Sequence, residues 1–234
     1  MPEALLFAVA LSGLHLAALG VAWIGFAWMH ERGFAARFRV AEGAAPDARL
    51  LRAAGREVLA GQPVFALLLY FVVHPLWRAR GGGMGDGLDA VSLGWQLLAF
   101  FALNDTIFYW AHRLLHRRYL FQRVHHRHHR FRFVRVPVAE YAHPLENAVN
   151  FVAFFAGPVL VGCSFPVMCV WVVVRIFETV EAHSGYDFTR SGSRHAYHHL
   201  YAGRGCYGSA FGFWDRVMRT DRHWRAWRAG VTHR

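Results

Sequence analysis

Long apolar stretches alternate along this chain with shorter ones rich in arginine and histidine, and the apolar stretches set the architecture. Residues 4–29, ALLFAVALSGLHLAALGVAWIGFAWM, hold one histidine and no formal charge. A helix needs about 20 mainly apolar residues to cross a hydrocarbon core, so this segment predicts a first span. The start MPEALL lacks the basic region that opens a signal peptide. Residues 58–77 predict a second span, and residues 88–111, ending in LNDTIFYWA, a third. NAVNFVAFFAGPVLVG and FPVMCVWVVVRIF follow, divided by Cys163-Ser164. Each is short for a crossing, so they form either two thin spans or a re-entrant hairpin. The expected fold is all-α: a polytopic membrane helical bundle of about four spans, or three plus a hairpin, with a helical cap.

Charge then gives this bundle an orientation. The 234 residues are 55% hydrophobic yet carry a formal charge of +11, a combination that suits a membrane protein with one basic face better than a soluble domain. Arg32, Arg37, Arg39, Arg49, Arg52 and Arg56 follow the first span, whereas only Arg78 and Arg80 follow the second. Arginine is dense again after the third span and from residue 183 onward. By the positive-inside rule the N-terminus lies outside, and residues 30–56, 112–146 and 183–234 lie on the cytosolic side. Every dense histidine cluster then falls on one face. Cys163, Cys169 and Cys206 form no CxxC pair and read as core thiols.

Sixteen histidines occur, eleven of them between 112 and 199. HRLLH places His112 and His116 at i,i+4, on one helical face. HHRHH gives His125, His128 and His129, an i,i+3,i+4 set expected to converge on one face, with His126 turned about 100° away from His125. HAYHH repeats that spacing with His195, His198 and His199. His143 and His183 stand between them. His15, His30 and His74 read as ordinary satisfied interfacial residues. HHRHHRFRF alone would read as a solvated face or an anionic-lipid patch, but an HxxxH pair and two HxxHH sets on one face read as a metal site. Four ligands complete a zinc site, and eight histidines exceed that twofold, so two metals fit better. Imidazole suits iron, zinc and copper alike. No HExxH is present to supply a hydrolytic base.

From NDTIFYWAHRLLH through HHRHH, HPLE and ETVEAHSGYDF to HAYHHLYAGRGCYGSAFGFWDRVMRTD, roughly residues 98–221, the chain resembles the fatty acid hydroxylase/sterol desaturase superfamily of integral-membrane di-iron enzymes. The three histidine boxes stand in order, and FWDRVMRTD resembles the closing signature. The resemblance implies two irons, O2 as co-substrate, and hydroxylation or desaturation of an unactivated C–H position on a lipid. It places the ligands on His112, His116, His125, His128, His129, His195, His198 and His199, with His183 as a ninth. Some relatives carry another histidine where Thr179 stands, and His143 is the candidate to compensate. Ala196 and Arg219 depart from the residues usual at their places, Asp and Gly.

Ligating imidazoles usually donate their second nitrogen to a carboxylate, carbonyl or water. Asp105, two helical turns before His112, is the first candidate, and Glu146, Glu178, Glu181 and Asp187 flank the later groups. No glycine-rich dinucleotide fingerprint is present, so electrons are expected from an external ferredoxin or cytochrome-type donor docking on the arginine-rich face. The remaining expectations are a lipid partner, no nucleic acid, and a bacterial inner membrane with the histidines on the cytosolic side. Residues 1–97 form an N-terminal transmembrane region, 98–221 the catalytic region and 222–234 a basic tail. Two rivals differ in chemistry: a di-iron relative cleaving alkylglycerol ethers, and a non-catalytic membrane protein binding metal or anionic lipid.

Overall fold

A computed structural model describes residues 2–40, 47–85, 87–132 and 139–231. The chain is helical, and among the described residues the only strand-like pairing is an isolated bridge between Arg39 and Tyr186. Among the described residues four helical stretches are long and apolar enough to cross a membrane: α1 (Glu3–Arg32), the run Ala48–Ala79, α4 (Ala90–Leu115) and α6 (Pro144–Val161). The second run is α2 (Ala48–Leu68), a π-helical turn (Leu69–Val73) and α3 (His74–Ala79). The widened turn has a local cause. Pro75 has no N–H to continue the α pattern, and the preceding His74 N–H bonds back to Leu69 O.

The two short apolar segments form α6 and α7 (Phe165–Ala182), eighteen residues each and about 27 Å long at 1.5 Å per residue. Their connecting turn meets the loop after α3: Trp77 Nε1 donates to Cys163 O at 2.6 Å, and Phe165 N donates to Gly83 O at 2.8 Å. The hairpin therefore runs the length of the bundle instead of re-entering. α7 carries Arg175, Glu178 and Glu181 and lies at the centre, with Met168, Trp171, Val172 and Val180 fully buried. It packs along α1, while α4 packs along α6. At Gly157 of α6 an added Cβ would lie 2.8 Å from Phe100 Cα of α4, so only glycine permits that approach. Outward side chains such as Val9, Ile24, Leu67, Phe71 and Leu98 are exposed, as a lipid-facing surface requires.

One core runs through the bundle, joining Phe7, Leu11, Leu69 and Trp77 to Phe100, Phe155, Trp171 and Val180. The N-terminal region and residues 98–221 thus share their packing. Successive helices run in opposite senses, which brings the end of α1, the start of α2, the end of α4, the start of α6 and the end of α7 to one end. Over that end lie α5 (Arg118–Arg123), a 3-10 turn (His125–Arg130), α8 (Ser191–Leu200), α9 (Phe213–Val217) and α10 (Arg222–Val231). Trp224 of α10 packs on Tyr197 and Cys206, which ties the basic tail to the cap. All three cysteines are free.

Candidate metal centre

The nine histidines assemble at that end into two groups. One comprises His112, His116, His125, His129 and His198; the other His128, His183, His195 and His199. Each HxxHH set divides between them. In the α-helix α8, residues i+3 and i+4 lie about 60° to one side and 40° to the other of residue i, so His195 and His199 enter the second group and His198 the first. In the 3-10 turn His125 and His129 enter the first group and His128 the second. The expectation that each set converges on one face is therefore corrected. His126 points away, exposed.

Within each group the Nε2 atoms converge. His112 and His125 approach to 3.0 Å, His116 and His198 to 3.0 Å, and His129 lies 3.1 Å from His125 and 3.0 Å from His198. In the second group His195 and His183 are 2.8 Å apart, His199 lies 3.0 Å from His195 and 3.1 Å from His128, and His183 and His128 are 3.4 Å apart. Bonds of about 2.1 Å from a cation put neighbouring nitrogens about 3.0 Å apart at right angles and about 3.4 Å at tetrahedral angles. The cages have the size of a metal ion. The two groups adjoin: the His129 and His199 rings stack with centroids 4.6 Å apart.

The outer nitrogens are held from behind. Nδ1 of His112, His128, His183, His198 and His199 meets the carbonyl oxygens of Tyr207, Tyr141, Thr179, Gly205 and Phe131 at 2.8–3.2 Å. His125 Nδ1 lies 2.9 Å from Glu146 Oε2. An Nδ1–H donated to oxygen leaves the Nε2 lone pair facing inward, which is the ligating tautomer. Burial pushes His125, His183 and His198 down to about 3. Burial, reinforced by neighbouring imidazoles, also holds His116, His128, His129, His195 and His199 below the ordinary histidine value. All are neutral, as metal ligation requires.

Asp105, 2% exposed, touches no imidazole. Its Oδ1 accepts from Ser209 N at 2.9 Å, while Asp215 accepts from Tyr207 N and Gly208 N at 2.8 Å each. The two carboxylates clamp the strand of chain whose Tyr207 carbonyl orients His112. Gly208 fits between them; a Cβ there would lie 2.8 Å from Asp215 Oδ2. Burial raises Asp215, against the hydrogen bonds from Thr220, Gly208 and Tyr207 that favour its charge. The other carboxylates brace α8. Glu178 pairs with Arg175 and accepts from Ser191 and Ser209, Glu181 accepts from Phe188 N and Thr189, and Asp187 accepts from Ser193 N. His143 lies outside both groups and caps α6, its Nδ1 accepting from Leu145 N at 3.2 Å. Thr179 joins the site through its carbonyl. His15 is not interfacial: it is buried halfway along α1, beside Phe65 and Glu140. The carbonyl acceptors had no signal in the sequence, because every residue carries one.

A cavity of about 630 Å³ opens beside the histidines, bounded by α1, α2, α4, α6 and α7, with His112, His128, Phe108, Phe151 and Phe155 in its wall. That is the size range of sites for drug-sized ligands.

The fatty acid hydroxylase pattern matches residues 97–220, which include all nine histidines. The chain belongs to the fatty acid hydroxylase family. Methylsterol monooxygenase 2-2 of Arabidopsis thaliana is 32% identical over 235 residues, covering 91% of this chain and 84% of that protein. Very-long-chain aldehyde decarbonylase GL1-8 of Oryza sativa subsp. indica is 43% identical over 146 residues, 57% of this chain and 54% of that protein. C-4 methylsterol oxidase erg25 of Schizosaccharomyces pombe is 36% identical over 154 residues, 58% of this chain and 50% of that protein. The chain thus spans about half the length of several of these relatives. No solved structure matches it.

Proposed function

We propose that this member of the fatty acid hydroxylase family is a di-iron, O2-dependent membrane oxidoreductase that hydroxylates or desaturates an unactivated C–H position of a lipid. The observation that carries the reading is the pair of adjoining all-nitrogen cages beside a cavity within a membrane bundle. Relatives named as methylsterol monooxygenases support lipid oxygenation over ether cleavage or non-catalytic binding of metal or anionic lipid. The ligands would be His112, His116, His125, His129 and His198 for one iron, and His128, His183, His195 and His199 for the other.

Bound there, a pair of irons would supply the O2 activation that an unactivated C–H bond demands. The chain's own residues supply the rest. Five backbone carbonyls hold five imidazoles in the ligating tautomer, and the Glu146 carboxylate stands beside His125 Nδ1. Asp105 and Asp215 fix the loop that orients His112. Phe108, Phe151 and Phe155 give the cavity an apolar wall that excludes water and receives the lipid. In this reading the histidine end faces the cytosol of a bacterial inner membrane, and an external ferredoxin or cytochrome-type donor docks there.

Elemental analysis of the purified protein tests it: about two irons per chain are expected, falling in His128→Ala and His198→Ala. One zinc and no iron would overturn the reading. Lipid mass spectrometry of host cells with and without the protein should then reveal an oxidised lipid that both variants fail to make.

A further inference from the structure

A line of oxidisable rings runs from the histidines to the surface, on the side away from the cavity. Among the described residues Tyr207 is the one tyrosine or tryptophan packed against the nine rings. Its centroid lies 5.1, 5.8 and 5.9 Å from those of His116, His198 and His112, all of the five-histidine group. Tyr109 follows at 6.3 Å, and Trp214 lies 6.2 Å beyond it. Trp110 ends the line, 5.3 Å from Tyr109 and 5.6 Å from Trp214. Tyr109 is fully buried, whereas Trp110 is 45% exposed and lines a groove with Arg113, Leu114, Arg117 and Met218. Tyrosine and tryptophan can each lose one electron to a strong oxidant, and tunnelling weakens exponentially with distance, so successive ring contacts make a path. A phenol gives up its electron readily only where its proton can leave with it. Tyr109 has that outlet: its oxygen accepts from Arg113 Nη1 at 3.2 Å and its hydroxyl donates to Thr220 Oγ1 at 3.3 Å. Thr220 Oγ1 in turn donates to Asp215 Oδ1 at 2.6 Å. The Tyr207 hydroxyl donates to the Gly203 carbonyl, a poor base, so that ring serves as the bridge.

We propose that Tyr207, Tyr109, Trp214 and Trp110 form a one-electron route from the metal pair to the surface, and that a small anionic reductant in the Trp110 groove discharges the pair through it when no lipid C–H bond is in reach. The electrons balance. Two electrons from the donor load the metal pair and pass to O2, which still lacks two of the four that make water. Each of those two travels singly. An electron leaves Tyr109 through Tyr207 for the metals, while the Tyr109 proton shifts through Thr220 to Asp215. Trp110, directly or through Trp214, refills Tyr109, the proton returns, and the reductant refills the indole. The sum is O2, four protons from water, two donor electrons and two reductant electrons, giving two molecules of water. The groove suits an anion by charge, with Arg113 and exposed Arg117 on its wall. Arg113 Cζ lies 5.7 Å from the Trp110 ring centroid, and a cation there opposes loss of an electron from the indole. A bound anion offsets that charge, so the last step favours an occupied groove.

The route rests on the metal pair of the proposed function, and it is tested without lipid. Iron-loaded protein, reduced anaerobically by two electrons per chain, is mixed with O2 and hexacyanoferrate(II). That anion is too weak a reductant to load the pair, so its oxidation reports oxidising power that reaches it from the metals. About two hexacyanoferrate(III) should form per chain, one for each missing electron. Tyr109→Phe and Trp110→Phe, which keep a ring at each place, should slow this about tenfold or more at unchanged iron content. Tyr119→Phe, an exposed ring off the line, should leave it unchanged. Arg117→Ala should raise the half-saturating hexacyanoferrate(II) concentration about threefold or more; an unchanged value would overturn the groove as the terminus. Samples frozen without hexacyanoferrate(II) should show an aromatic radical by electron paramagnetic resonance, lost in Tyr109→Phe. Equal rates in both ring variants, or O2 uptake with neither radical nor hexacyanoferrate(III), would overturn the route and leave the proposed function standing. A chain that holds no iron or takes up no O2 would overturn both.

Discussion

Glu146 is 4% exposed and pairs with His125, so a carboxylate stands directly behind one candidate ligand. Removing an outer partner of a ligating histidine typically costs 10–100-fold in metal affinity. Glu146→Leu should weaken metal retention by up to about that factor in chelator competition, and Glu146→Gln by less, because the amide keeps a polar oxygen beside the ring. Arg219 shows the opposite situation, a residue with a local cost. Its φ is 56°, in the left-handed region, at the position where the family resemblance suggests glycine. A side chain there costs roughly 1–2 kcal/mol, so Arg219→Gly should stabilise the fold by about 1 kcal/mol, read as a higher denaturation midpoint. The 100° step between neighbouring helical residues was legible in HxxHH, but its consequence was not. Whether His128 and His129 meet one metal or two depends on what surrounds the turn.

At the scale of elements, the split histidine sets predict a graded response. His129 belongs to the five-histidine group and His195 to the four-histidine group. His195→Ala should release about one metal per chain, because three nitrogens remain where a closed site wants four. His129→Ala leaves four and should lower the metal content less. Helix packing makes its own prediction at Gly157, where α4 and α6 touch through backbone. Gly157→Leu should force the pair apart and lower the thermal midpoint measurably, as overpacking costs about 1–3 kcal/mol. The helices themselves were legible from apolar length. The passage of α7 through the centre was not, because its Arg175, Glu178 and Glu181 depress its hydropathy and only their partners Phe188, Thr189, Ser191 and Ser209 account for them.

At the scale of the whole molecule, the buried imidazoles couple stability to pH. The folded values of His125, His183 and His198 lie at about 3, below the unfolded value of about 6.5. Above pH 6.5 both states are neutral at these rings and contribute no pH dependence. As pH falls from 6.5 towards 3 the unfolded chain takes up protons that the fold refuses, so stability drops. The denaturation midpoint of metal-stripped protein should therefore fall between pH 7 and pH 5, more steeply than in a variant with several of these histidines replaced. The basic surface carries the last prediction. Arg117 and Arg118 are exposed beside His116, next to a groove formed by Trp110, Arg113 and Leu114. If an acidic donor docks there, Arg117→Glu with Arg118→Glu should raise the KM for the donor and reduce its salt dependence, leaving the metal content unchanged.

By itself the sequence determined the helical membrane class, and it grouped eight histidines into three spaced sets expected at one end; the family resemblance added His183. The first two follow from local chemistry: apolar length, arginine placement, and residue type at helical spacing. Only the tertiary structure decided which ring joins which group, which carbonyl fixes each tautomer, and that His15 faces the cavity beside Gln62. Those relations join residues as far apart as His15 and Glu140 or His112 and Tyr207. Backbone carbonyls are chemically alike along the chain, so packing alone selects the ones that count.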